Sequence, residues 1–196
     1  MSQRSTPEAP RRLIVGISGA TGFVFGLRVL ELARCAGFET HLVVTPAAQR
    51  TRDYEVDIDA RALHDHADEV HRPADIAASI ASGSFRTDGM IVAPCSARTL
   101  SAIAYGNSDN LLTRAADVTL KERRRLVLLV RETPLHLGHL RAMVAVTEMG
   151  GIIMPPVPAL YLRPDSIDEL VTHTAGRALD LFDARVPELP RWGGSG

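Results

Sequence analysis

The stretch Leu13–Phe23 reads LIVGISGATGF, and it decides the fold. Its first five residues, Leu13–Ile17, are mostly branched and apolar, which is typical of a strand buried on both faces of a sheet. The glycine-rich turn Ser18–Gly22 leads into Phe23–Ala36, where apolar residues recur at helical spacing, and Gly37 marks the end of this predicted helix. A strand, a tight turn and a helix in this order predict the first half of a βαβ unit.

The same alternation continues along the chain. Further strands are predicted at Thr40–Val44, Met90–Ala93, Leu126–Val130 and Gly151–Met154, and helices at about 96–104, 109–123, 136–149 and 165–184. Two segments do not fit: Asp53–Ala74 is polar and rich in histidine, and Pro155–Pro158 contains three prolines that cannot continue a helix or a central strand. We predict a loop for the first and a stiff connector for the second. The pattern predicts a single doubly wound α/β domain with a central parallel sheet.

Composition narrows the class of protein. The 196 residues include 22 basic and 23 acidic side chains, and this balance argues against a nucleic-acid-binding protein. No apolar run approaches the roughly 20 residues of a membrane span, so no membrane association is expected. Two cysteines, Cys35 and Cys95, are too few for a disulfide framework and favour a reducing compartment. We therefore predict a cytoplasmic protein.

Two turns that follow predicted strands indicate a mononucleotide site. The spacing in Gly16–Gly22 is GxxGxxG, whereas dinucleotide-binding domains use GxGxxG, and Thr45 stands where those domains need an acidic residue. Pro94–Thr99 supplies a second helix start, with hydroxyl groups at Ser96 and Thr99. These features favour FMN over a nicotinamide cofactor.

Four charged residues are candidates for anion binding and proton transfer. Arg131 and Glu132 directly follow the predicted strand Leu126–Val130, where Arg131 can clamp a phosphate and Glu132 can move a proton. Arg114 and Lys121 lie two turns apart on one face of a predicted helix. Lys121 is also the only lysine among 22 basic residues, which suggests a position that needs an ammonium group. The competing interpretation of all four is a solvated surface.

Five long motifs together resemble the UbiX-type flavin prenyltransferases. They are Gly16–Gly22, Pro94–Thr99, Leu111–Arg124 (LLTRAADVTLKERR), Val130–Leu140 (VRETPLHLGHL) and Gly151–Tyr161 (GIIMPPVPALY). The resemblance implies a Rossmann-like, flavodoxin-like fold and dodecamers with sites between subunits. It also implies an activity: transfer of a dimethylallyl group from dimethylallyl phosphate to N5 and C6 of reduced FMN. The implied product, prenylated FMN, is the cofactor of UbiD-type decarboxylases.

The residues at both ends, together with the resemblance, predict a division of the chain. Residues 1–10 are expected to be a disordered lead, and 11–186 the flavin-binding α/β domain. The tail 187–196, which contains Trp192, is expected to dock on a neighbouring subunit of a homo-oligomer.

Site residues follow from the same resemblance. The implied FMN contacts are Gly19, Ala20, Thr21, Thr45, Ser96, Ala97, Arg98, Thr99 and Arg131. The implied contacts of dimethylallyl phosphate are Arg114, Lys121, Tyr161, Arg177 and Trp192. The implied catalytic residues are Thr21, Glu55, Lys121, Glu132 and Tyr161. No aspartate-rich DDxxD motif is present in the chain, so no metal is expected in the reaction.

Two alternatives stay open, and a departure from the family pattern favours the first of them. Thr21 stands where the family usually has serine, and its extra methyl group would crowd an incoming isoprenyl chain. A non-catalytic, FMN-binding subunit of an aromatic-acid decarboxylase system is therefore one alternative. The other is a flavin-dependent cysteine decarboxylase, although Arg98 replaces the asparagine of the PASANT motif found in those enzymes.

The remaining histidines and cysteines are predicted to be structural. His64, His66 and His71 suggest a metal site, but residues two apart face together only on a strand, and this segment has no strand pattern. We therefore favour a solvated loop. Cys95 is predicted to be a small buried residue rather than a nucleophile, and Cys35 to lie in the core.

Overall fold

Six strands form one parallel sheet in the computed structural model, which describes residues 10–186 and Leu189. The strands are β1 (Arg12–Ile17), β2 (Glu39–Val44), β3 (Glu69–His71), β4 (Gly89–Cys95), β5 (Arg125–Val130) and β6 (Ile152–Ile153). Their order across the sheet is β3-β2-β1-β4-β5-β6. The helices are α1 (Phe23–Cys35), α2 (Pro46–Glu55), α3 (Ala60–Asp65), α4 (Ala97–Ala104), α5 (Leu111–Lys121), α6 (Leu137–Glu148) and α7 (Ile167–Asp180). The predicted doubly wound α/β fold with a parallel sheet is confirmed.

Two apolar layers cover the faces of the sheet. Leu13, Val15 and Ile17 of β1 belong to the layer that α1 and α7 complete, whereas Ile14 belongs to the layer formed with α4, α5 and α6. All seven residues of β4 are buried. Burial on both faces explains why the central strands are continuous apolar runs in the sequence.

The prediction of a loop over Asp53–Ala74 is wrong in part. This segment contains the end of α2, the short helix α3 and the edge strand β3. A three-residue strand is too short for a recognisable pattern, and hydrogen bonds from distant residues hold it in place. The carboxylate of Asp68 accepts hydrogen bonds from the backbone N–H of Thr40, at 2.8 Å, and from its hydroxyl.

Ser18 joins two neighbouring turns at the carboxyl edge of the sheet. Its buried hydroxyl donates to the carbonyl of Pro94, at 2.9 Å, and accepts from the backbone N–H of Ser96, at 2.8 Å. The backbone N–H of Thr45 donates to the carbonyl of Ile17, at 3.0 Å. Direct hydrogen bonds therefore hold together the turns after β1, β2 and β4. Sequence reasoning did not single out Ser18.

The two cysteines differ in burial. Cys95 is fully buried, and burial raises the pKa of its thiol far above the ordinary value. Cys35 is exposed, so the prediction that it lies in the core is wrong. It is the last residue of α1, where the helix reaches the surface.

We expect iodoacetamide to modify Cys35 and to leave Cys95 unmodified in the folded protein, because the thiolate is the reactive form. Intact-mass measurement should detect one carbamidomethyl group per folded chain and two after denaturation. Cys35→Ser is the matched control and should remove the label from the folded chain. Rapid labelling of Cys95 in the native protein would contradict the described burial.

Within the described part of the chain, no helix is long and apolar enough to cross a membrane.

Candidate functional site

A cleft of about 650 Å³ opens at the carboxyl edge of the sheet. Ligands of open α/β sheets bind at this edge. Seven of the predicted site residues line the cleft: Gly19, Thr45, Ser96, Ala97, Arg98, Thr99 and Glu132. They come from the turns after β1, β2, β4 and β5, which the parallel topology brings to one place.

Three helices begin at the cleft. The side chains of Thr45, Ser96 and Asn110 are the N-caps of α2, α4 and α5, and each accepts a hydrogen bond from a backbone N–H of the helix that it caps. Helix N-termini carry partial positive charge and free N–H groups, so their convergence suits an anion such as a phosphate. Asn110 was missed in the sequence, because its loop is brought to the cleft by a distant hydrogen bond from Leu111 N–H to the carbonyl of Pro73, at 2.8 Å.

Gly19 allows the first turn of α2 to approach the turn after β1. A Cβ atom at position 19 would lie 2.4 Å from the Cβ of Ala47, which is far closer than two carbon atoms can pack. Both residues line the cleft. Any side chain at position 19 must therefore displace α2 or the turn.

We expect Gly19→Ala to weaken FMN binding by about tenfold or more, because displaced helix N-termini no longer converge on one anion. Titration of flavin fluorescence measures this affinity. Ala47→Gly removes the clashing methyl group, so the double variant Gly19→Ala/Ala47→Gly should recover part of the lost affinity. An unchanged affinity in Gly19→Ala would show that this contact does not shape the binding site.

Basic and acidic side chains both border the cleft. Arg98 makes an ion pair with Asp109 at 2.6 Å, and this contact, together with a hydrogen bond from Asn110, holds the pKa of the Asp109 carboxyl below its usual range. Arg50, on the second turn of α2, also lines the cleft. It was not identified from the sequence, because α2 was not predicted as a helix.

Thr21 and Glu55 meet beside the cleft, although 34 residues separate them. The Glu55 carboxylate accepts hydrogen bonds from the Thr21 hydroxyl and from the backbone N–H groups of Gly22, at 2.9 Å, and Phe23, at 2.8 Å. It therefore satisfies the free N–H groups at the start of α1 while it orients the hydroxyl. Ala20 precedes this pair in the same turn.

Glu132 and Arg131 follow β5. Glu132 is half-buried in the cleft wall, where its carboxylate accepts a hydrogen bond from the backbone N–H of Thr133 at 3.0 Å. Arg131 is exposed, and its backbone N–H donates to the carbonyl of Cys95 at 2.9 Å, which ties this turn to the end of β4. A carboxylate and a guanidinium thus adjoin the predicted mononucleotide site.

Two predicted residues lie at the opposite end of the sheet. Lys121 is the last residue of α5, about 15 Å along the helix from the first turn, which borders the cleft. It makes an ion pair with Glu122, next to the start of β5. Arg177 lies in the last turn of α7 and pairs with Asp180 at 2.7 Å. Lys121 and Arg177 therefore do not line the cleft of their own chain, within the residues that the structure describes.

The other predicted phosphate contacts are placed as follows. Arg114 lies on the first turns of α5 and pairs with Asp117 at 2.7 Å. Tyr161 is 57% exposed in a 3-10 turn, Leu160–Leu162, and does not line the cleft of its own chain. Trp192 lies outside the described residues, as do 1–9 and most of the predicted tail 187–196.

Comparison with known proteins identifies the family. Residues 1–176 match the model of the Flavoprotein family. The flavin prenyltransferase UbiX of Neisseria meningitidis serogroup B is 55% identical over 184 residues, which cover 94% of this chain and 97% of the relative. The chain belongs to the UbiX flavin prenyltransferase family. The Escherichia coli K12 UbiX is 54% identical over 188 residues, covering 94% of this chain and all of the relative.

Solved structures agree with this membership in the UbiX family. The crystal structure of AnUbiX (PadA1) in complex with FMN and dimethylallyl pyrophosphate superimposes with a TM-score of 0.94 at 49% identity, covering 96% of this chain and 100% of that one. A dodecameric FMN-dependent UbiX-like decarboxylase from Escherichia coli O157:H7 has a TM-score of 0.91 at 48% identity, covering 93% and 100%. The cypemycin decarboxylase CypD, at 19% identity and a TM-score of 0.61, shares the fold alone.

Proposed function

We propose that this UbiX family member is a flavin prenyltransferase that moves a dimethylallyl group from dimethylallyl phosphate to N5 and C6 of reduced FMN. The observation that carries the proposal is the cleft, where three helix N-termini converge next to Gly19 and Glu132. The identity of 54–55% with named UbiX prenyltransferases supports the same activity.

FMN fits the groups that border the cleft. Its phosphate is dianionic and matches the converging N-termini of α2, α4 and α5. Because Gly19 has no side chain, the backbone of its turn is unobstructed where the turn approaches α2. Arg131, after β5, supplies a cation at the same edge of the sheet. Bound reduced FMN supplies the nucleophilic N5 and the ring carbon C6 that accept the five-carbon group.

The chain must assist the departure of a phosphate. As the allylic C–O bond breaks, negative charge develops on the leaving phosphate, and the cations Lys121 and Arg177 and the hydroxyl of Tyr161 stabilise it. Because Lys121 and Arg177 lie far from the cleft of their own chain, neighbouring copies supply them. The dodecameric assembly of a solved relative at 48% identity supports this arrangement.

Glu132 and the Thr21–Glu55 pair perform the proton and positioning steps. Glu132 lies in the cleft wall and passes a proton to the departing phosphate or accepts the one lost as the new ring closes. Glu55 orients the Thr21 hydroxyl beside the cleft, and serine at this position would keep the hydroxyl while removing a methyl group.

The product, prenylated FMN, then serves a UbiD-type decarboxylase. The donor is a small isoprenyl phosphate, and the AnUbiX complex with dimethylallyl pyrophosphate makes the diphosphate the second donor to test.

The deciding experiment is anaerobic. The purified protein is incubated with reduced FMN and dimethylallyl phosphate, and the mass of the released flavin is measured. Gain of one five-carbon unit is expected. Bound but unmodified FMN, with activity appearing in Thr21→Ser, would favour the non-catalytic subunit instead, and absence of flavin binding would contradict both functions.

A further inference from the structure

Three metal-ligating side chains meet at the edge of the sheet, outside the cleft. His41 lies on β2, and Glu69 and His71 lie on β3; one donor atom from each lies within 4.8 Å of the other two. In the parallel register His41 pairs with Glu69, and Val43 pairs with His71. Because side chains two apart on a strand share a face, all three point to the same side. We call His41, Glu69 and His71 the edge cluster.

Two histidine nitrogens face each other at the centre of the edge cluster. Nδ1 of His41 lies 3.0 Å from Nε2 of His71 and 3.3 Å from Oε2 of Glu69. The other nitrogen of each ring faces a carboxylate: Nε2 of His41 lies 3.1 Å from Oε1 of Glu39, and Nδ1 of His71 lies 3.6 Å from Oε1 of Glu69. An ionised carboxylate only accepts hydrogen bonds, so the contact with Glu39 favours a proton on Nε2 of His41 and leaves Nδ1 of that ring as an acceptor. The 3.6 Å contact between His71 and Glu69 is too long for a hydrogen bond and does not place the proton of His71.

The lone pair on Nδ1 of His41 therefore faces Nε2 of His71 and Oε2 of Glu69. These three atoms lie within 4.8 Å of one another, and each offers a lone pair to a metal ion when Nε2 of His71 carries no proton. A zinc ion bound by two nitrogens at about 2.0–2.1 Å in tetrahedral geometry separates those nitrogens by about 3.3 Å. The observed separations of 3.0 and 3.3 Å are close to this value. The competing arrangement needs no ion: Nε2–H of His71 donates a hydrogen bond directly to Nδ1 of His41, at 3.0 Å.

The surroundings of the edge cluster match those of metal sites. Oε1 of Glu39 is held by Nε of Arg12 at 3.0 Å, so it is a fixed, ionised partner for Nε2 of His41. A carboxylate behind a ligating histidine is the usual outer arrangement in zinc sites, and it orients the ring. The side chains of His41 and His71 are 0% and 5% exposed, whereas that of Glu69 is 54% exposed. Solvent therefore reaches the cluster on the Glu69 side, where an ion can enter and water can be the fourth ligand.

We propose that His41, Glu69 and His71 bind one divalent transition-metal ion per chain, of the zinc class, in a site separate from the FMN cleft. Two imidazoles and a carboxylate suit Zn²⁺ and Co²⁺ better than Mg²⁺ or Ca²⁺, which prefer oxygen ligands. The ion replaces the direct hydrogen bond between the two rings and connects the three-residue strand β3 to β2. His71 stands two residues before Pro73, which lines the cleft, so the ion also steadies the border of the cleft.

The sequence analysis considered His71 together with His64 and His66, whereas in the structure His71 lies next to His41 and Glu69. His66 instead lies 3.6 Å from Glu31 on α1. The rule that residues two apart face together on a strand applies to Glu69 and His71, because β3 is a strand.

Metal binding is tested on the full chain after removal of metals with EDTA. Co²⁺ is titrated while the visible d–d absorption of a tetrahedral site is followed, and Zn²⁺ affinity is measured by competition with a chromogenic chelator. We expect one ion per chain and a higher Tm with Zn²⁺, because the ion binds only the folded arrangement. Glu69→Gln should weaken binding by about tenfold or more, and His71→Ala should abolish it.

Two matched controls identify the site. His64→Ala and His139→Ala remove histidines elsewhere and should leave metal affinity unchanged. Glu69→Gln alters a half-exposed carboxylate and keeps the test valid if His71→Ala does not fold. Failure to bind Co²⁺ or Zn²⁺, or equal affinity in wild type and Glu69→Gln, would overturn the proposal and leave the direct hydrogen bond between the two rings as the native arrangement. The flavin-mass experiment is independent, so either proposal can fail alone.

Discussion

Glu132→Gln is expected to slow prenyl transfer by about 10²- to 10⁴-fold, which is the usual contribution of a positioned acid–base group. Glutamine keeps the size and the carbonyl oxygen that accepts the 3.0 Å hydrogen bond from Thr133 N–H, so the cleft wall should be unchanged. It cannot gain or lose a proton near pH 7. FMN affinity should therefore stay close to that of the wild type, because the phosphate is bound by other groups.

The measurement combines flavin titration with the rate of appearance of prenylated FMN under anaerobic conditions. Glu148→Gln, at the exposed end of α6, is the matched control and should leave the rate unchanged. Glu132→Asp should recover part of the lost rate, because it restores a titratable carboxyl group. Turnover in Glu132→Gln close to that of the wild type would remove Glu132 from the proton-transfer role.

Mixed assemblies of Lys121→Met and Glu132→Gln are expected to be active although each variant alone is nearly inactive. Lys121 lies at the far end of α5 from the cleft that contains Glu132, so under the proposed function a complete site would take these two groups from different chains. In an assembly mixed at random from equal amounts, about one quarter of the sites would contain both native groups, as expected for an interface between different surfaces of two copies. Under the proposed function, Lys121→Met loses a cation that would stabilise the leaving phosphate, so this variant is expected to be defective on its own.

Co-expression of the two variants with different affinity tags and tandem purification isolates the mixed assembly. Its rate per chain is compared with that of each variant purified in the same way. A mixed assembly no faster than the variants alone would show that Lys121 and Glu132 serve the same chain or that Lys121 takes no part. Lys121→Arg keeps the charge, and its rate tests whether the compact ammonium group matters.

The order of strands and helices could be predicted because burial leaves a local pattern. β1, β4 and β5 are buried on both faces and are apolar almost without interruption, and α5 and α7 begin at polar capping residues. β3 and α3 could not be predicted, because each is short and is held by hydrogen bonds from distant residues or by a single cap. The prediction that Cys35 is buried was wrong for a related reason. The apolar pattern of a helix does not show how far the elements packed against that helix extend along it.

The candidate residues were found mainly because they belong to motifs. Glycines at a strand–helix turn, the hydroxyl of Ser96 at a helix start and Glu132 after a strand all indicate ligand binding without tertiary information. Asn110 is a polar residue at a helix start, but neither it nor Arg50 belongs to a recognisable ligand-binding motif, and only the folded chain brings them to the cleft. The edge cluster escaped detection because its three members come from two strands, one of which was not predicted.

The sequence alone determined the α/β class, the edge of the sheet that binds ligands and the family resemblance, since each depends on residues close together in the chain. Tertiary structure decided which distant residues meet. It joined Thr21 to Glu55 across 34 positions, brought three helix N-termini to one cleft and placed Lys121 and Arg177 at the opposite end of the sheet. Such juxtapositions depend on strand order, helix length and packing across the sheet, which are properties of the whole fold.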